Sequence, residues 1–178
     1  MNLPNKLTVL RVCLIPVFLF FLLASPMGEP ISRYVALSIF IIASSTDALD
    51  GYIARKYNLI TNFGKFMDPL ADKLLVCSAM IAMIEMGDIP SLAVIVIIAR
   101  EFIITGFRLV ASDEGIVIAA SMWGKIKTIT QMIMVIYLLL GLKGDLALSI
   151  GNILIMASVF FTVLSAVDYI YKNKAVLK

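Results

Sequence analysis

Four aspartates, Asp47, Asp50, Asp68 and Asp72, fall within the stretch DALDGYIARKYNLITNFGKFMDPLAD. The whole chain is 61% hydrophobic and only 15% charged. Carboxylates gathered in such surroundings are costly unless they are neutralised and used. Their spacing is helical: Asp47 and Asp50 are three apart and Asp68 and Asp72 four apart, so each pair lies on one helix face. The loop between the pairs is short, which makes the two helices antiparallel neighbours and lets both pairs converge. Converging carboxylates repel in low dielectric, so protons or cations must balance them. Oxygen-only ligands suit hard cations, Mg²⁺ first, with Mn²⁺ or Ca²⁺ as alternatives. Two divalent ions balance four negative charges, and such a pair is a clamp for displacement at phosphorus. The chemistry expected is phosphoryl transfer at a membrane surface.

The residues around the acids fit that chemistry. Gly51, Ala54 and Gly64 leave room for a close ligand, and Arg55, four after Gly51, can hold a diphosphate through two parallel hydrogen bonds. Plainer readings stand beside these. Asp68 before Pro69 is also an N-cap pattern, Asp47 an interfacial acid with a lysine partner, and Gly51 with Ala54 a small-residue helix contact. None of them alone explains four acids at helical spacing on adjacent helix ends. The chain contains no histidine, so proton transfer and metal binding must rest on carboxylates. Cys13 and Cys77 lie inside apolar runs without metal-ligand spacing and read as small hydrophobes.

The elements that must carry these residues are membrane helices. Six segments approach the ~20 apolar residues that span a bilayer: roughly Leu7–Ala24, Tyr34–Tyr57, Phe66–Met86, Ser91–Ala111, Trp123–Leu142 and Ala147–Tyr171. The expected fold is an all-α integral membrane protein with six transmembrane helices, in one domain over residues 1–178. No cleavable leader is expected, LLAS near Ala24 being a poor cleavage site. SDEGIVIAAS, between the fourth and fifth segments, reads as an interfacial loop. Lys6, Arg11, Arg55, Lys56, Lys65, Lys73, Arg100, Arg108, Lys125, Lys127, Lys172, Lys174 and Lys178 fall on one side of the membrane, against Arg33 and Lys143 on the other. That asymmetry places both termini and the acids in the cytoplasm.

Arg100, Arg108, Lys125 and Lys127 gather at the cytoplasmic ends of the fourth and fifth segments, which suits an acceptor carrying its own phosphate. They also read as cations snorkelling to the surface. Glu101 can pair with a basic neighbour and hold Arg100 in place; Thr128 and Gln131 are secondary candidates for polar contacts.

The pattern D-x2-D-G-x2-A-R-x8-G-x3-D-x3-D is complete over Asp47–Asp72. It resembles the signature of the CDP-alcohol phosphatidyltransferase family. The resemblance implies a six-helix membrane fold, a homodimer, a divalent metal (Mg²⁺ or Mn²⁺), and transfer of a phosphatidyl group from CDP-diacylglycerol to an alcohol with release of CMP. It implies metal ligation by Asp47, Asp50 and Asp68. Asp72 would both help bind metal and deprotonate the acceptor. Gly51, Ala54, Arg55 and Gly64 would accommodate the cytidine diphosphate. NLPNKLTVLRV, AREFIITGFRLVAS and GKIKT are similar to the branch of the family whose acceptor is glycerol 3-phosphate. The expected partners are therefore CDP-diacylglycerol, glycerol 3-phosphate, membrane lipids and a second copy of the chain, with no nucleic acid, at the cytoplasmic membrane. Two alternatives are a different acceptor, such as inositol phosphate, and a divalent-cation transporter. Transport sites lie near the midplane between broken helices, whereas these acids lie at helix ends beside basic residues.

Overall fold

The computed structural model describes residues 2–57, 61–113 and 121–173, with the side chains of all of these except residues 47–52, 54–55, 62–63, 65–66, 69 and 112–113. Among the described residues the chain is helical throughout, without a strand. The helices are α1 (Leu3–Leu19), continued by a π-helical turn (Phe20–Ala24), α2 (Ile31–Lys56), α3 (Asn62–Glu85), α4 (Ser91–Asp113), α5 (Met122–Leu139) and α6 (Asp145–Lys172). The connection expected at the interface, SDEGIVIAAS, lies mostly outside the described residues.

Helix starts follow local chemistry. Asn2 caps α1, its side chain accepting from the Asn5 amide at 3.2 Å, and Pro4 sits in the first turn, where its missing N–H costs nothing. Thr61 caps α3 by accepting from the Gly64 amide at 3.0 Å. That cap overturns the N-cap reading of Asp68: α3 begins at Asn62, a full turn before the apolar run, and Asp68 lies inside the helix. In α6, Asp145 in the first turn and Lys172 in the last complement the helix dipole.

Two compact units form, one from residues 1–86 with 139–141 and the other from 87–138 with 142–178. In the first, α1, α2 and α3 pack against one another around Phe18, Phe40, Leu75, Met80 and Met83, all fully buried. In the second, α4 packs along α6, the Phe107 and Tyr169 rings meeting edge-on at 5.8 Å.

Exposure differs from that of a water-soluble protein, because many large apolar side chains lie exposed while several polar ones are buried beside the apolar core. Thr8, Arg11, Ser158, Thr162 and Ser165 are fully buried, while Leu146, Leu92, Phe102 and Met156 are each more than two-thirds exposed. Polar groups turned inward and large apolar side chains turned outward are what a lipid solvent selects. Leu3–Ala24 and Asp145–Lys172 are long and apolar enough to cross a bilayer, and Ile31–Thr46 is a shorter apolar helix. Among the described residues the protein is all-helical, and its exposed apolar helices are those of a membrane protein.

Buried arginines show how this interior is held. Arg11, which reads from sequence as a flanking cation, is fully buried; its Nε donates to the Ala43 carbonyl at 3.2 Å and to Thr46 Oγ1 at 3.3 Å. Arg33 Nε donates to the Leu139 carbonyl at 3.1 Å, satisfying an orphan acceptor at the end of α5. Gly141 (φ 61°) makes that approach possible, because a Cβ there would stand 2.6 Å from Arg33 Nε.

Candidate active site

The acids are carried by α2 and α3, which pack together in the first unit. Asp47 and Asp50 fall in the C-terminal part of α2 and Asp68 and Asp72 in the N-terminal part of α3, so the expected arrangement of helices is present. Gly51, Ala54 and Arg55 also lie on α2. The side chains of Asp47, Asp50, Ala54 and Arg55, and the surroundings of Gly51, lie outside the described residues. Asp68 and Asp72 are described, and both are partly exposed.

Asp68 is held from α1. Thr8 donates its hydroxyl to Asp68 Oδ1 at 2.6 Å, and Thr8 itself is fully buried. A neutral donor orients the carboxylate and adds no charge of its own. Next to this pair, Thr61 donates to Asn5 Oδ1 at 2.9 Å while accepting from the Gly64 amide. Gly64 stands among these groups. A Cβ on it would lie 3.2 Å from Asn5 Oδ1, 3.3 Å from Thr61 Oγ1 and 3.5 Å from Asp68 Oδ2. The glycine therefore admits the first turns of α1 beside the acid-bearing face of α3. On α2, Arg11 anchors Thr46, one residue before Asp47.

Asn5, Thr8 and Arg11 are site-supporting residues that the motif does not contain. Their signal was present: polar residues three apart in an otherwise apolar helix share one face, and that face is the buried one.

The site's chemistry fits a hard divalent cation. Every acid in the signature is an oxygen donor, and Thr8 occupies only one of the two Asp68 oxygens. Among the described residues no three acids, cysteines or histidines come together; the side chains of Asp47 and Asp50 lie outside them.

The basic residues divide. Arg100 Nη1 and Lys127 Nζ both pair with Glu101 Oε1, at 2.9 and 2.6 Å. Lys127 is buried, and the Arg100 side chain is nearly so. Two cations on one carboxylate leave this triad with one net positive charge. The buried Arg100 Nε has no hydrogen-bond partner, so the guanidinium retains a donor for a further acceptor. Glu101, expected to pair with a basic neighbour and hold Arg100, pairs with both Arg100 and Lys127 and so links α4 to α5. Arg108 and Lys125 are exposed. Thr128 is exposed and bonded back to the Gly124 carbonyl at 3.0 Å, and Gln131 is buried.

Comparison with known proteins identifies the family. The family described as CDP-alcohol phosphatidyltransferase matches residues 1–164. A Bacillus subtilis protein named CDP-diacylglycerol–glycerol-3-phosphate 3-phosphatidyltransferase is 48% identical, over 99% of this chain and 97% of its own. Proteins of the same name from Rickettsia bellii and Haemophilus influenzae are 38% and 36% identical, covering 94% and 99% of this chain and 93% and 95% of their own. With its signature unbroken and its likeness running nearly end to end, this chain belongs to the CDP-alcohol phosphatidyltransferase family.

Proposed function

We propose that this protein transfers the phosphatidyl group of CDP-diacylglycerol to glycerol 3-phosphate, forming phosphatidylglycerophosphate and CMP. The observation that carries this reading is the complete eight-position signature in a chain 48% identical, over nearly its full length, to a protein named for that reaction. The relatives' shared name disfavours an inositol phosphate acceptor, and family membership disfavours a divalent-cation transporter.

Roles follow from chemistry. Asp47, Asp50, Asp68 and Asp72 would hold two divalent ions, Mg²⁺ or Mn²⁺, which when bound supply positive charge to the diphosphate as CMP leaves. Thr8 orients Asp68 for that task. Gly51, Ala54, Arg55 and Gly64 accommodate the cytidine diphosphate. Asp72 takes the proton of the acceptor hydroxyl, since the chain offers no imidazole. The hydroxyl oxygen then bonds to the phosphorus that bears the diacylglycerol, the diphosphate bridge breaks, and CMP departs with its electron pair. Arg100 and Lys127, held by Glu101, bind the acceptor's phosphate; Arg108 and Lys125 attract it from the surface. Six spans, both termini in the cytoplasm, a homodimer and a cytoplasmic-membrane location complete the proposal. The apolar runs and the one-sided lysines and arginines support the span count and orientation.

The test is CMP release by the purified full-length protein from CDP-diacylglycerol with a panel of acceptors: glycerol 3-phosphate, glycerol and inositol phosphate. Release should require glycerol 3-phosphate and stop on chelation, returning with Mg²⁺ or Mn²⁺. Equal release with inositol phosphate, or full activity after thorough chelation, contradicts the proposal.

A further inference from the structure

Serine and threonine in these helices mostly satisfy their own hydroxyls. Ser38, Ser44, Ser45, Thr105, Thr128 and Thr130 each donate to the carbonyl four residues earlier, the usual arrangement in an apolar helix. Ser158 and Thr162 of α6 differ. Both are fully buried, and neither hydroxyl has a hydrogen-bond partner. A hydroxyl buried without a partner is unfavourable, so two on successive turns point to something absent from the protein itself.

Two independent routes locate them. First, α4 touches α6 where the Phe107 and Tyr169 rings meet. Seven residues before Phe107 is Arg100, and seven before Tyr169 is Thr162. Seven residues are two turns, about 10 Å along each helix, and return to nearly the same face. Second, α5 touches α4 through the Lys127–Glu101 pair and touches α6 through the stacked rings of Trp123 and Phe161, 6.3 Å apart. Phe161 is the neighbour of Thr162. These contacts also show α4 and α6 running in the same direction, so the first route brings Thr162 level with Arg100, and the second puts it level with Trp123, one turn of α5 from Lys127. Ser158 lies one turn away on the same buried face. Three unpartnered polar atoms thus lie within about one turn of one another along this unit: Arg100 Nε, Thr162 Oγ1 and Ser158 Oγ.

An arginine N–H only donates, while hydroxyls donate or accept. A ligand that satisfies all three at a net positive site is anionic and rich in oxygen. We infer that Thr162, seconded by Ser158, is a specificity-determining residue whose hydroxyl donates to the phosphate monoester of the acceptor held by Arg100 and Lys127. The inference rests on the acceptor reading proposed above and adds to it a wall from α6.

The test uses the full-length enzyme in lipid nanodiscs, with glycerol 3-phosphate and CDP-diacylglycerol varied separately. Thr162→Val keeps the shape and removes the hydroxyl. It should raise KM for glycerol 3-phosphate about tenfold, leave KM for CDP-diacylglycerol within about twofold, and not lower the unfolding temperature of the substrate-free protein. Thr162→Ser should restore near-wild-type behaviour. A rise confined to CDP-diacylglycerol would assign the hydroxyl to the lipid phosphate and overturn the inference; equal rises in both, or failure of Thr162→Ser to rescue, would reduce Thr162 to packing and overturn it too. Arg100→Ala, run alongside, separates the two levels. If it raises KM for glycerol 3-phosphate and Thr162→Val does not, only the Thr162 role falls; if neither does, the acceptor reading falls with it. Should Thr162→Val fail to fold, Ser158→Ala decides, an unchanged KM for glycerol 3-phosphate overturning the inference.

Discussion

The two units treat their charges in opposite ways. In the first, Asp68 receives a neutral hydroxyl from Thr8, so its orientation is set by a donor that adds no charge. In the second, Glu101 receives two cations, so the carboxylate is overcompensated and a positive charge remains. A carboxylate suits the binding of metal and the taking of a proton; a cation kept positive suits the binding of phosphate. The difference predicts a division of labour, with chemistry on α2 and α3 and acceptor recognition on α4, α5 and α6.

Substitutions can break or sharpen that division. Asp72→Asn carries the largest expected effect, a fall in kcat of about 10²–10⁴ with CDP-diacylglycerol binding nearly unchanged; near-wild-type turnover would place the base elsewhere. Glu101→Gln comes next. Removing one member of a buried charge network costs about 3–5 kcal/mol, so thermal unfolding should shift down and KM for glycerol 3-phosphate should rise as Arg100 and Lys127 lose their common partner. An unmoved unfolding temperature would show that the triad is not an anchor. Thr8→Val should cost about 1.5–3 kcal/mol, the range for a hydrogen bond to a charged group. It should appear as reduced kcat and weaker Mg²⁺ activation, with the acceptor KM unchanged. Lys125→Ala should be the mildest, because Lys125 is exposed and screened by solvent; a KM change beyond about twofold would give this lysine a direct part in binding.

Much of this was legible without coordinates. The six α-helices among the described residues overlay the six apolar runs read from the sequence, because length and hydropathy together leave few alternatives. The ends were less legible. The first turn of α3 is polar, so the apolar run points to Phe66, whereas the Thr61 cap starts the helix at Asn62. Pro69 after Asp68 imitates a helix start for the same reason. The acids were legible because fixed spacing over eight positions is rarely accidental. Thr8 and Asn5 were not, since a polar residue near the end of an apolar segment looks like an interfacial flank until the three-residue repeat with Arg11 is noticed. Lys125 and Lys127 are equal candidates in sequence; only their faces of α5 separate them, one exposed and one buried beside Glu101. Thr162 and Ser158 were silent, because in an apolar helix a self-satisfied hydroxyl and an unsatisfied one share the same letter.

The division of labour is tested most directly by measuring KM for both substrates in Arg100→Ala. Loss of the charged contact should raise KM for glycerol 3-phosphate about 10- to 100-fold while KM for CDP-diacylglycerol stays within about twofold of wild type. A rise confined to CDP-diacylglycerol, or equal rises in both, would contradict it.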